Sequence, residues 1–160
     1  MQCINIEIQI DNKKISFEIE SKDLYQLNCF NFIIKQLDKI IDICVLKKMI
    51  ILRTEDRDFR NGALQVPFKK DDRRVNNIYA YNWMGQCLWN IGEIVGDLKT
   101  AFHGCMLTTR QDLIDTGILK GTIQCSDDLL QCYVGGFQYI IDPFAKTVLS
   151  IITGVSETVQ

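Results

Sequence analysis

Between Cys3 and Glu20, Ile4, Ile6, Ile8 and Ile10 alternate with polar residues, Asp11-Asn12-Lys13-Lys14 interrupts, and Ile15, Phe17 and Ile19 resume. A period of two sends successive side chains to opposite faces of a strand, so this stretch predicts a hairpin with one buried and one wet face. Asn77 to Ile91 follows the same grammar. Tyr79, Tyr81 and Trp83 alternate with Ile78, Ala80 and Asn82, and Asn82-Trp83-Met84-Gly85 supplies a turn. There Asn82 can hydrogen-bond its own backbone and Gly85 can take a positive φ. The return strand predicts Cys87, Trp89 and Ile91 on one face. Ile40 to Thr54 reads as strand, turn at Leu46-Lys47-Lys48, and a nearly all-apolar central strand over Met49 to Leu52.

The C-terminal third is a meander. Leu119 to Gln124 predicts a strand, Ser126-Asp127-Asp128 a turn, Leu129 to Val134 a strand, and Gly135-Gly136 a turn. Phe137 to Thr153 then forms a hairpin turning at Asp142-Pro143, where Pro fixes φ and Asp can bond back into the turn. Two stretches resist this reading. Ser21 to Asp38 supports a short helix, through a Ser21 cap and Leu24, Leu27, Phe30, Ile34 and Leu37, or an irregular crossing followed by strand. Gly92 to Asp115 shows no clear period. Glu55 to Asn76 is the longest polar stretch and predicts a long surface loop, the kind of segment that carries binding function.

The expected fold class is therefore mainly β, a single antiparallel meander or sandwich of about ten strands over 1–154, with residues 155–160 a loose tail. An α+β fold follows if 22–38 is helical. Composition agrees: 160 residues, 47% hydrophobic and 24% charged, are those of a globular chain with a sizeable core.

A formal charge of −2 and the near-cancelling run Lys69-Lys70-Asp71-Asp72-Arg73-Arg74 supply no basic stripe for phosphates, so nucleic acid is not an expected partner. Asp42, Lys47 and Lys48 interrupt the most apolar window, Ile40 to Leu52, far short of the ~20 residues of a membrane helix. None of the seven cysteines has zinc-knuckle spacing, and there is one histidine, so neither a metal site nor a cofactor is expected. The odd cysteine count and a strand pattern at the N-terminus fit a reducing cytoplasm. The thiols, Cys44 and Cys87 foremost, then act as small core hydrophobes.

No catalytic residue can be named. His103, two residues from Cys105 and expected on the same strand face, lacks the third member of a triad. Gly92, Gly96 and Gly104 do not make a phosphate loop. The aromatic residues Tyr79, Tyr81 and Trp83, with His103, are candidate ligand-binding groups as a stacking platform. The alternative is that Trp89 is core and Trp83 shields a turn. Glu55, Asp56, Asp58, Asp71 and Asp72 on the long loop are candidate partner-binding groups.

The segment Ile78-Tyr-Ala-Tyr-Asn-Trp-Met-Gly-Gln-Cys-Leu-Trp89 resembles the blade hairpins of quinoprotein-type β-propellers, which turn through Asp/Asn-x-x-Gly and leave through Leu-Trp. Ile140-Ile-Asp-Pro-Phe-Ala-Lys-Thr-Val-Leu149 resembles the companion form, with Ala145 where glycine is usual. The pairing is similar to that of small uncharacterised bacterial β-rich proteins in which one such hairpin sits mid-chain and another ends the fold. No repeat of ~40–45 residues is visible, so a propeller is not implied. Size and charge, by analogy, set the expectation of a non-enzymatic protein-binding module, such as an immunity protein covering a basic toxin. A ligand binder or enzyme using the aromatic face, and a homo-oligomer pairing through a sheet edge, are the alternatives.

Overall fold

The computed structural model describes residues 2–10, 13–21, 25–29, 32–56, 72–96 and 98–154. The chain is mainly β, as the alternation predicts. In order the strands are β1 (Gln2–Ile10), β2 (Lys13–Ser21), β3 (Gln26–Asn28), β4 (Ile33–Lys35), β5 (Lys39–Val45), β6 (Ile50–Glu55), β7 (Ile78–Tyr81), β8 (Cys87–Asn90), β9 (Gly104–Thr109), β10 (Asp128–Val134), β11 (Phe137–Asp142) and β12 (Thr147–Thr153). Two short helices, α1 (Gly92–Val95) and α2 (Arg110–Asp115), flank β9.

The N-terminal alternation does form a hairpin, with Ile4, Ile6 and Ile8 registered on Ile19, Phe17 and Ile15. Two four-stranded antiparallel sheets make the body of the fold. One has the order β5-β6-β7-β8, the other β12-β11-β10-β9. Between them lies the main core, where Cys44, Ile51, Ile78, Ala80 and Trp89 of the first sheet meet Leu130, Cys132, Val134 and Ile141 of the second.

Both sheets are also covered on their outer faces, which explains strands apolar on both sides. Along β6, Ile51 points into the main core, while Ile50 and Leu52 point outward under Leu27 and Ile34 of the β3–β4 hairpin. Along the β10–β11 pair, Leu129 and Ile140 point outward under Leu113 of α2 and Leu119 of the segment after it. The order is thus hairpin, sheet, sheet, helix with loop. A buried polar clamp joins the first sheet to the segment that leads into β9. Asn77 donates to Thr54 O (2.7 Å) and Phe102 O (2.8 Å) and accepts from Phe102 N. Buried Arg53 bonds Asp42, Glu55 and the same Phe102 carbonyl.

Three expectations change. Ser21 to Asp38 holds no helix among its described residues. Leu27 and Ile34, seven positions apart, are registered opposite each other in the β3–β4 hairpin, so a hairpin produces the spacing that a helix would. Leu24 and Phe30 lie outside the described residues. The stretch from 119 to 124 is not a strand, because Leu119 and Ile123 serve as the lid of the outer layer. Finally, the end of the polar stretch is not surface loop, since Val75 and Asn76 are buried. The tail 155–160 lies outside the described residues.

Candidate functional site

The β7–β8 hairpin turns as its residues predict. The Asn82 carboxamide oxygen accepts from Met84 N and Gln86 N, both 2.9 Å, and Gly85 takes φ +83°. A side chain there is excluded twice over, by that φ and by Phe32, which a Cβ would meet at 3.0 Å. The hairpin is not regular, however. Tyr81 pairs with Cys87 and Ala80 with Trp89, so Leu88 is an extra residue in a β-bulge. This reverses the expected placement of Cys87. It leaves the Trp89 face, comes to lie opposite Tyr81, and is exposed.

Trp89 is core, 1% exposed, with its indole N–H donating to Pro143 O at 2.9 Å. Tyr81 and Trp83 belong to the layer beneath the β3–β4 hairpin rather than to an open platform. The Tyr81 hydroxyl accepts from Gln36 Nε2 at 2.5 Å, and burial, seconded by the nearby Cys87 thiol, pushes it up to about 12. Trp83 Nε1 donates to Lys47 O in the β5–β6 turn. Tyr79 is half-buried, and burial raises its hydroxyl, with the Asp38 carboxylate adding to the effect. His103 does not join these rings. It precedes β9 in the other sheet and sits against Tyr133, centroids 6.3 Å apart. Cys105 does not share its surroundings, since the Cys105 thiol meets Cys44 in the core.

The acidic candidates separate similarly. Glu55 is not on a loop but ends β6, where it is exposed and bonded by Arg53 at 3.0 Å. Asp72 holds Arg74 through two oxygens, at 3.0 and 2.6 Å, and these bonds keep its carboxyl below the usual range. Asp56 lies 3.7 Å from Arg73, whose Nε also contacts buried Asp38 at 3.2 Å. Asp58 and Asp71 lie outside the described residues.

A surface that the periodicity did not single out lies along β12, an edge strand of the second sheet. Thr147-Val-Leu-Ser-Ile-Ile-Thr153 carries no charge and no proline, the usual devices that keep an edge from pairing. Ser150 is registered on Ile140 and Val148 on Ile141, which makes Leu149 a bulged residue. Leu149 and Ser150 therefore both face outward, where with Ile118, Leu119, Lys120, Thr122 and Ile123 they line a shallow cleft of about 370 Å³. On the opposite face Ile151, across from Tyr139, and Phe137 are 49% and 47% exposed. Apolar surface thus reaches the open edge on both sides of the sheet. The signal legible in the sequence was the uncharged heptad. Its edge position was not.

No family model matches the sequence, and no curated protein and no solved structure is significantly similar to it.

Proposed function

We propose that the chain is a non-enzymatic protein-binding module that takes up an extended segment of a partner protein along β12. The observation that carries this reading is the uncharged edge with apolar surface on both faces. An added strand would bond its backbone to the side of β12 that pairs with no strand among the described residues, beyond the end where α1 packs. Its alternate side chains would fall into the 118–123 cleft and over Ile151 and Phe137. Strand addition obtains affinity from the main chain and selectivity from such alternating pockets.

The immunity-type version, an acidic face closing over a basic toxin, draws less support. Asp56 and Asp72 face Arg73 and Arg74 of the same chain, and Glu55 faces Arg53. Those charges are already partly neutralised.

The test is capture of a partner by tagged protein from native lysate, followed by hydrogen exchange on the purified complex. Protection of the β12 amides, lost together with the partner in Ile151→Lys, is the expected outcome. A surface substitution of this kind changes stability by only about 0.5 kcal/mol, so folding is retained. Protection elsewhere with β12 unchanged would remove the strand-addition reading. A concentration-dependent dimer of the purified chain, disrupted by Ile151→Lys, would identify the partner as a second copy.

A further inference from the structure

Three thiols meet in the core where the two sheets adjoin. Cys44 comes from β5, an edge strand of the first sheet, and Cys105 from β9, an edge strand of the second. Their sulfurs are 3.6 Å apart, with the Cys105 carbonyl 3.8 Å from the Cys44 sulfur. Cys132 of β10 stands directly opposite Cys105 in register. Core cysteines ordinarily serve as small hydrophobes, isolated from one another. Here two come from strands of different sheets, and their sulfurs touch.

We propose that Cys44 and Cys105 form a redox-active pair, oxidised by a peroxide to a disulfide that staples the two sheets together. Geometry selects this pair over Cys105 with Cys132. Residues directly opposite on antiparallel strands keep their Cβ atoms about 4.5–5.5 Å apart, whereas a disulfide wants about 3.8 Å. Cys44 approaches from the other sheet and is free of that ladder constraint.

The order of reaction follows from exposure. Cys105 is half-buried and Cys44 buried, so Cys105 meets the oxidant first. Its sulfur attacks one peroxide oxygen and the O–O bond breaks. For hydrogen peroxide, a sulfenic acid forms at Cys105 and one water leaves with the thiol proton. The Cys44 sulfur then attacks the sulfenic sulfur, the S–S bond forms, and the hydroxyl departs as a second water with the Cys44 proton. Both thiols are oxidised and the peroxide is reduced to two waters. The S–H···S contact and burial hold the Cys44 thiol well above its ordinary range. The contact with Cys132, together with burial, does the same for Cys105. The pair therefore stays protonated at neutral pH and oxidises slowly there, and its oxidation quickens as pH rises, because the thiolate is the reactive form.

The test is a hydrogen peroxide titration of the reduced full chain, read by non-reducing peptide mapping, thiol counting in denaturant and thermal melting. A Cys44–Cys105 cross-link is expected, with a pair of thiols lost and a rise in Tm that dithiothreitol reverses. The cross-link should vanish in Cys44→Ala and in Cys105→Ala and persist in Cys132→Ala. Carrying Cys87→Ser alongside removes the exposed thiol and its intermolecular products. A Cys105–Cys132 link, or sulfinic acid at Cys105 with no link, would overturn the proposal. So would a pair still unreacted after prolonged exposure to excess peroxide at a pH raised enough to increase its thiolate fraction.

Discussion

Trp83 and Trp89 stand six positions apart in one hairpin and hold different layers together. Trp89 fills the main core and ties its indole to the β11–β12 turn through Pro143 O, so Trp89→Ala removes packing and a buried bond together. Chemical denaturation should show a loss of about 3–5 kcal/mol. A loss under about 1 kcal/mol would contradict its burial. Asp142 holds three backbone N–H groups: Ser126 N at 2.9 Å, Phe144 N at 3.0 Å and Ala145 N at 3.1 Å. Burial alone would raise this carboxyl, but the N–H bonds outweigh it and hold the group below its ordinary value. A carboxyl depressed in the fold stabilises it above the unfolded value and stops doing so as pH falls through the folded value. That contribution should be present above about pH 4 and lost below it. Asp142→Ala should cost about 1–3 kcal/mol at neutral pH, through N–H groups left without their acceptor. Its stability should also fall less steeply in acid than that of the wild type, which parallel urea titrations at pH 7 and pH 3 would measure.

The two Asx-initiated hairpins show how one turn grammar yields two geometries. After Asn82 the left-handed position falls on the third residue, Gly85. After Asp142 the third residue is Ala145, and the left-handed position moves to Lys146, φ +57°. Without a glycine the left-handed position shifts by one residue and falls on a residue that carries a side chain, at a cost in backbone strain. Gly85 has no such latitude, because Phe32 packs against its α-carbon and secures the β3–β4 hairpin to the sheet. Gly85→Ala should cost about 1–3 kcal/mol, the penalty of a left-handed non-glycine residue. It should also speed amide exchange in Gln26–Asn28 and Ile33–Lys35 relative to β10 and β11. Equal exchange in both regions would mean that the turn does not anchor the hairpin.

The layering and the strand bulges decide what the molecule offers its surroundings. The aromatic face of β7 is closed by the β3–β4 hairpin, and α2 with the segment after it closes most of the second sheet. Among the described residues coverage thins at β12, where α1 packs near Val148 and no further strand pairs. The bulge at Leu149 turns two neighbours outward into the cleft and returns Ile151 to the inner face, so the edge is apolar on both sides. Ser150→Lys, which places a charge in the cleft, should weaken partner binding by an order of magnitude or more, about 1.4 kcal/mol or above. Its thermal midpoint should stay near that of the wild type. Titration calorimetry with the captured partner measures the first and scanning calorimetry the second.

Alternation alone specified the β class, the N-terminal hairpin, the β5–β6 and β7–β8 hairpins, the Asn82 and Asp142 turns and the burial of Trp89. These are local properties, set by the pleat and by side chains bonding their own backbone. The placement of Cys87 was not legible, because a bulge depends on the partner strand and one extra residue reverses every face beyond it. Leu27 and Ile34 are equally spaced for a helix and for a hairpin, and only the first sheet beneath them selects the hairpin. The candidate aromatic and acidic groups were sensible by residue type. Whether a ring is open or roofed, and whether a carboxylate is already paired with an arginine, depends on contacts between distant segments. The edge position of β12 and the meeting of Cys44 with Cys105, sixty-one residues apart, are likewise decided by strand order and sheet packing. No pattern read along a single strand contains that information.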